Sequence, residues 1–343
     1  MKIFFVGYHN RNFMTFTEYV ERAIVGCGHV LETEDFRDWR IPGRVRARSA
    51  FLQAWDMDRI NRNVLERAQR FRPDIVLVNG GWTIHPRTVS RIKTAGCPVT
   101  VNWIADYPLM FDKYLLAGPG YDHFFTSGTD SLFAYQGQGH KNGGWLPFAC
   151  DPQIHRPVEL SQDDLRRYAC DICFVGSCYE ERVEVLERLT GFDLAVWGAG
   201  WDKLPKGSAL RKFVRGGSLT PDQWVKAFGA AKIVLNIIGH RCGVMHPFVP
   251  EHEFRMTNTK VFEILGCGAF QMVDAKADAM ALFKDREHLV FYRDADHLAE
   301  LARFYLDHPQ ERERISAAGR AEVLRKHTYT DRIKELVSVV TGK

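Results

Sequence analysis

The feature that most limits the fold is a pattern that starts twice. From Lys2, short apolar runs of strand length alternate with amphipathic stretches of helix length, and the alternation begins again at Asp171. In the first half the runs are Lys2–Val6, His29–Phe36, Asp74–Asn79, Val99–Trp103, His123–Thr126 and Trp145–Phe148. In the second they are Asp171–Val175, Asp193–Trp197, Lys232–Ile237, Ala269–Val273 and Leu289–Tyr292. Helices are expected between them, at Asp58–Phe71, Glu180–Leu189, Pro221–Ala230 and Asp296–Leu306. Near-continuous Val, Ile, Leu and Phe strands followed by helices predict an α/β protein with parallel sheets covered on both faces. Two Rossmann-like domains facing each other across a cleft are therefore expected. Their bounds are 1–150 and 169–325, with 151–168 a linker marked by Asp151-Pro152 and Arg156-Pro157. Residues 326–343 form a C-terminal helix that can pack back on the first domain.

A chain of 343 residues has room for two such domains. Its 45% hydrophobic and 26% charged residues are ordinary globular usage, and a formal net charge of +4 is too small for a dedicated nucleic-acid surface. No apolar run approaches the roughly 20 residues of a membrane span. Met1–Val6 meets Gly7 too early for a signal-peptide core, so a cytoplasmic protein is expected. The eight cysteines are scattered through apolar stretches, which favours reduced, buried thiols.

In open parallel sheets, ligands bind beyond the carboxyl ends of the strands. After Val175 come Gly176 and Ser177, then a helix in which Arg182 can reach a phosphate. After the next strand, Gly198 and Gly200 form half of a dinucleotide fingerprint; such glycines serve a ligand or a strand-to-helix turn equally well. The densest constellation is Thr257 to Gly268. Thr257 or Asn258 is a good N-cap and Gly266 or Gly268 a stop, giving a short helix whose open N-terminus suits a phosphate. Thr259 belongs to that start, Lys260 adds positive charge in the first turn, and Glu263, one turn on, can accept both hydroxyls of a ribose. The plainer alternative is a capped core helix with Glu263 on its wet face. His240 or His246 is placed by its loop to contact the same ligand.

With these residues the chain resembles the group 1, family 4-like retaining glycosyltransferases of the GT-B fold, in particular the spore-maturation, CgeB-like branch. The likeness is carried by Asn258–Ala269, by Phe291 and Tyr305-Leu306-Asp307-His308-Pro309, and by Ile315–Arg320 with His327-Thr328-Tyr329 and Arg332. Trp103–Pro108 and Trp145–Pro152 extend it into the first half. The resemblance implies a UDP-type nucleotide-sugar donor on the C-terminal domain, with ribose on Glu263, diphosphate on the 258–260 helix start, and Arg182 assisting. The family's donor motif often has two glutamates separated by seven residues, and here Arg255 stands at the first. Glu251 or Glu253 can replace that acid, or Arg255 can serve as another phosphate cation.

Transfer from a nucleoside diphosphate requires stabilising negative charge on the leaving phosphate, a task that Arg182, Lys260 and helix N–H groups can perform without a metal or other cofactor. The resemblance implies retention of configuration. Asp106 can orient or deprotonate an acceptor hydroxyl, or cap a turn before Pro108. Tyr8, His9, Asn10 and Trp82 are expected on the acceptor side, for a glycan, lipid-linked or protein acceptor. Arg40, Arg44, Arg46 and Arg48 read as a solvated, mobile loop, able to give a weak peripheral membrane contact. A zinc site from Cys170, Cys173 and Cys178, or from His240, Cys242, His246 and His252, is disfavoured; Cys170 and Cys173 should point to opposite faces of a strand. The main alternative function is a catalytically silent nucleotide-binding scaffold. A nicotinamide oxidoreductase is disfavoured because Gly7 leads into Tyr8-His9-Asn10 rather than a glycine fingerprint.

Overall fold

The computed structural model describes residues 1–10, 14–105, 118–238 and 254–342. Two compact units divide the chain. The first runs from Met1 to Pro147 and includes the last helix, Tyr329–Thr341; the second runs from Phe148 to Thr328.

In the first unit the strands are β1 (Lys2–Gly7), β2 (Val30–Asp35), β3 (Ile75–Val78), β4 (Val99–Ile104), β5 (His123–Thr126) and β6 (Gly143–Trp145), all parallel, in the order β2-β1-β3-β4-β5-β6. The central strand β3 is wholly buried, as an Ile-Val-Leu-Val run covered by helices on both faces must be. Edge strand β2 carries Glu32, Glu34 and Asp35, which is why its apolar signal is faint. The sixth strand is Gly143–Trp145, just before the expected Trp145–Phe148, because the apolar Leu146–Phe148 stretch is buried outside the sheet. The final helix packs on Phe16–Gly26, with Tyr329 stacked on Tyr19 at 5.6 Å and Arg332 Nε donating to Pro147 O at 2.9 Å.

The second unit contains β7 (Cys170–Val175), β8 (Leu194–Trp197), β9 (Val214–Gly216), β10 (Ala231–Asn236), β11 (Gln271–Asp274) and β12 (Val290–Tyr292), again parallel, in the order β12-β11-β10-β7-β8-β9. Counted from its own first strand this is the 3-2-1-4-5-6 order of dinucleotide-binding sheets. Alternate residues feed two cores. Ile172, Phe174, Val196, Leu235 and Met272 pack on one face, and Cys173, Val175, Ala195, Trp197 and Val234 on the other. Each large side chain so buried contributes about 1.5–3 kcal/mol.

Cys170 and Cys173 join the same core, contrary to the expectation from strict alternation. Cys170 opens the strand beside Tyr168 of that core, and the amides of Asp171 and Ile172 both donate to Asp193 O at 3.0 Å. Burial first, and then the neighbouring Cys170, push the Cys173 thiol well above its ordinary range. The stretch read as a linker lies in the second unit. Its helix Gln162–Tyr168 is opened by a Ser161–Asp164 capping box, and Asp164 pairs with Lys226 of the helix Pro221–Ala230 at 3.0 Å.

Gln271 is fully buried in β11, and neither its amide oxygen nor its nitrogen has a hydrogen-bond partner among the described residues. Leaving such a group unsatisfied costs about 1–3 kcal/mol. Gln271→Met should therefore raise the stability of the chain by about 1 kcal/mol or more, read as a higher urea midpoint. An unchanged or lower midpoint would contradict this. Among the described residues no helix is long and apolar enough to cross a membrane.

Candidate functional site

In the second sheet the strand order reverses between β7 and β10, the place where an open parallel sheet leaves room for a ligand beyond its carboxyl ends. One side chain bridges the loops that leave these two strands. From the helix Glu180–Glu187, Arg182 donates through Nη1 to Ser177 O at 2.9 Å and through Nε and Nη2 to Ile237 O at 3.3 and 3.1 Å. Its guanidinium also lies 5.5 Å from the Phe174 ring centroid and 4.8 Å from that of Tyr179. Burial lowers its pKa against the pull of Tyr179 and Asp274, and a guanidinium remains cationic throughout the neutral range. Expected as a phosphate cation, Arg182 is first a clamp on the switch-point loops, with two of its five N–H donors left over.

The helix Thr259–Gly266 is held to the same place by a reciprocal amide pair. Asn236, the last residue of β10, is buried; its Nδ2 donates to Asn258 Oδ1, and Asn258 Nδ2 donates to Asn236 Oδ1, both at 3.0 Å. Asn258 Oδ1 also accepts the Val261 amide at 3.3 Å, which makes Asn258 the N-cap. The Asn236 carbonyl accepts from Tyr292 Oη at 3.4 Å, so β12 braces the pair. Among the described residues the amides of Thr259 and Lys260 find no acceptor and the buried Thr257 Oγ1 has no partner. Lys260 is half-buried and forms no ion pair with a described residue. A cation in a first turn opposes the helix dipole by about 0.3–1 kcal/mol, and an anion at the open N-terminus would reverse that sign.

Glu263 is 8% exposed, so it is not on a wet face of the helix as the plainer alternative has it. Its carboxylate accepts no hydrogen bond from a described residue. The helix sits this deep because Gly266 meets His155 closely: a Cβ there would lie 2.9 Å from His155 Cβ and 3.0 Å from its carbonyl. Burial lowers the pKa of His155, against the opposing charges of Glu263 and Asp151, so the ring is neutral at pH 7 and gives Glu263 no counter-charge. Burial, with Glu263 as the next cause, pushes the Cys267 thiol far up. A nearly buried carboxylate without a hydrogen bond is costly, and hydroxyl donors from a ligand would relieve it.

The two glycines in the fingerprint-like loop serve the backbone. Gly198 has φ of +147°, and a Cβ there would fall 1.9 Å from Gly176 O. The loops after β7 and β8 touch main chain to main chain, with Gly176 N on Trp197 O and Cys178 N on Ala199 O, both at 2.9 Å. Trp201 Nε1 adds a bond to Gly176 O at 2.8 Å, and Gly200, at φ of +86°, begins that turn. Gly198→Ala should cost about 1–3 kcal/mol by forcing these loops apart. A thermal midpoint equal to wild type would refute the close-approach reading. Arg255 lies just before the helix Thr259–Gly266 and its carbonyl accepts the Asp278 amide at 3.0 Å.

In the first sheet the order reverses between β1 and β3, and the residues expected on the acceptor side leave those two strands. The Tyr8 amide donates to Thr17 Oγ1 at 3.1 Å, and Arg37 lies over the Tyr8 ring at 4.1 Å. His9 donates its amide to Asp35 Oδ2 at 3.2 Å, and its Nε2 is 2.8 Å from Glu21 Oε1. Burial raises the Glu21 carboxyl while His9 lowers it. Asn10 Nδ2 donates to Tyr8 Oη at 3.4 Å, and Trp82 leans on Trp39 with ring centroids 6.0 Å apart. Asp106 and His240 lie outside the described residues, as do Cys242, His246, Glu251, His252 and Glu253. Among the described residues no group of three or more His, Cys, Asp or Glu is arranged to hold a metal.

Three contributors were not singled out in the sequence: Asn236, Asp274 and Tyr292. Asp274 ends β11 and its Oδ1 accepts the Ile238 amide at 2.8 Å. The signal for Asn236 and Asp274 is a polar residue closing an apolar run, Ile233–Leu235 and Met272-Val273, at the carboxyl end of a strand.

Residues 179–338 match the family model described as Glycosyl transferase-like. The spore protein CgeB of Bacillus subtilis (strain 168) is 25% identical over 276 residues, covering 78% of this chain and 83% of that protein. Among solved structures, Anabaena Alr3699/HepE in complex with UDP-glucose superposes with a TM-score of 0.65 at 11% identity over 100% of both chains. Sucrose-phosphate synthase from Thermosynechococcus elongatus gives a TM-score of 0.70 at 11% identity over 99% of both chains. Both carry the paired-sheet architecture described above.

Proposed function

We propose that this chain, a GT-B glycosyltransferase of the CgeB-like branch, takes its sugar from a nucleoside diphosphate sugar held at the Asn258–Glu263 helix start of its second unit. The observation that carries the reading is Glu263: a carboxylate 8% exposed, with no hydrogen bond from a described residue, one turn inside a helix whose first amides are open. A diphosphate would accept from the Thr259 and Lys260 amides and pair with Lys260. The ribose hydroxyls would donate to Glu263. UDP is the nucleotide favoured, since HepE is described with UDP and with UDP-glucose, and an alpha-glucosyltransferase of similar fold with UDP-glucose.

In the transfer step the bond between the anomeric carbon and the diphosphate oxygen breaks, and charge grows on the leaving phosphate. Lys260, the helix amides and the two remaining N–H donors of Arg182 meet that charge, so the step is read as metal-independent. Retention of configuration follows the family resemblance, with the departing phosphate taking the proton of the attacking hydroxyl. The acceptor is read as a glycan, a lipid-linked sugar or a protein hydroxyl, bound through Tyr8, His9, Asn10 and Trp82 of the first unit. Arg255, in place of an acid, is read as an additional phosphate cation.

Incubation with a panel of UDP-, GDP-, ADP- and dTDP-sugars, following free nucleotide, tests the proposal. Release of one nucleotide above the rate in buffer supports it. Tight binding without release, with and without a glycan acceptor panel, would instead favour the silent scaffold; neither binding nor release would overturn both readings.

A further inference from the structure

The segment from Trp39 to Arg62 takes no part in the chemistry above. It is not the mobile loop that its composition suggests. The buried Asp56 carboxylate accepts the Arg40 and Ile41 amides, both at 3.0 Å, and Arg59 Nε at 3.0 Å. Burial alone would raise this carboxyl, but the bonds from Ile41, Arg59 and Arg40 outweigh it and hold it below the ordinary aspartate range. Arg46 stacks on Trp39 at 3.5 Å and donates to Ile41 O at 3.2 Å. The basic turn is thus pinned against the helix Ala50–Phe71, which Ser49 caps.

On that support three large apolar side chains face solvent: Phe51 at 75% exposure, Val45 at 47% and Trp55 at 44%. Phe51 and Trp55 are four residues apart and share one helix face, and Arg62, seven further on, extends the same stripe. Arg40, Arg44, Arg48 and Arg62 are all exposed, and none of their side chains meets an acid or another acceptor among the described residues. Of the nearby acids, only Glu66, one turn beyond Arg62, is exposed and outside any ion pair with a described residue. Asp56 is buried, Asp58 pairs with Arg87 at 2.5 Å, and Asp38 with Arg59 at 3.1 Å.

Soluble surfaces rarely leave rings clustered in this way, and rings beside unneutralised arginines match one chemical environment well. Aromatic side chains settle at the boundary between lipid headgroups and acyl chains, while arginines pair with headgroup phosphates. We propose that this face docks on a bilayer surface bearing anionic phospholipids. A second copy of the chain is a poorer occupant, because a two-fold interface would set the same arginines against each other. The proposal is independent of the donor-site reading.

The test is co-sedimentation of the full chain with phosphatidylcholine vesicles, with and without roughly a third phosphatidylserine, at low and at physiological salt. Binding only to the anionic vesicles, weakening with salt, is expected. Arg44→Glu with Arg48→Glu should lower the partition coefficient by about 100-fold, and Phe51→Ser with Trp55→Ser by about 10-fold. Thermal midpoints unchanged from wild type establish that both variants fold. No binding to anionic vesicles, equal binding to both vesicle types, or wild-type binding by either variant overturns the proposal. So does a concentration-dependent dimer, seen by sedimentation, that Phe51→Ser abolishes.

Discussion

Glu263→Gln is expected to weaken binding of UDP or its sugar conjugate by about 10- to 100-fold, the size of one charge-assisted hydrogen bond at about 1.5–3 kcal/mol. The amide keeps the volume of the side chain, which matters because Glu263 is 8% exposed. Truncation to alanine would mix a cavity with the lost acceptor. The same substitution should leave the chain as stable as wild type or more so when no nucleotide is present, since it removes a buried carboxylate without a hydrogen bond. Calorimetric titration with UDP, together with thermal unfolding of the free protein, checks both parts. Unchanged affinity would remove Glu263 from the site.

Lys260→Ala carries the other large effect, and it falls on the rate. Charge on the diphosphate rises as the glycosidic bond breaks, so the ammonium is worth more in the transition state than in the bound donor. A fall in kcat of about 100-fold, with donor affinity reduced less than about 10-fold, is expected. Lys260→Arg should restore part of the rate. The free protein should gain slightly in stability, because a first-turn cation opposes the helix dipole. Steady-state kinetics on the donor identified by nucleotide release measures the split, and a loss confined to affinity would contradict the assignment.

The restart of strands at Asp171 made the paired sheets legible, because parallel strands buried on both faces must be nearly continuous apolar runs. The helix at Asn258 was equally plain, since cap, cation, carboxylate and stop all fall within one short stretch. What escaped was set by contacts distant in sequence. Gly198 reads equally as a ligand glycine or a turn glycine until the Gly176 carbonyl is found against it, 22 residues earlier in the chain. Arg182 reads as a free phosphate cation, yet the carbonyl of Ile237, 55 residues away, takes two of its donors. The amide pair between Asn236 and Asn258 has no local signature at all. The helix expected from Asp58 begins at Ala50 because Ser49 caps it, and its first turns hide from periodicity because Phe51 and Trp55 face outward.

The central claim is that a nucleotide sits on the helix start of the second unit. Amide hydrogen exchange with and without saturating UDP reads that location directly. Slower exchange at Thr259 and Lys260, together with the Gly176–Arg182 loop, is the predicted footprint, and Glu263→Gln should erase it at the same nucleotide concentration. Exchange at these amides that is unaltered while UDP is bound, with protection confined elsewhere in the chain, would contradict the account.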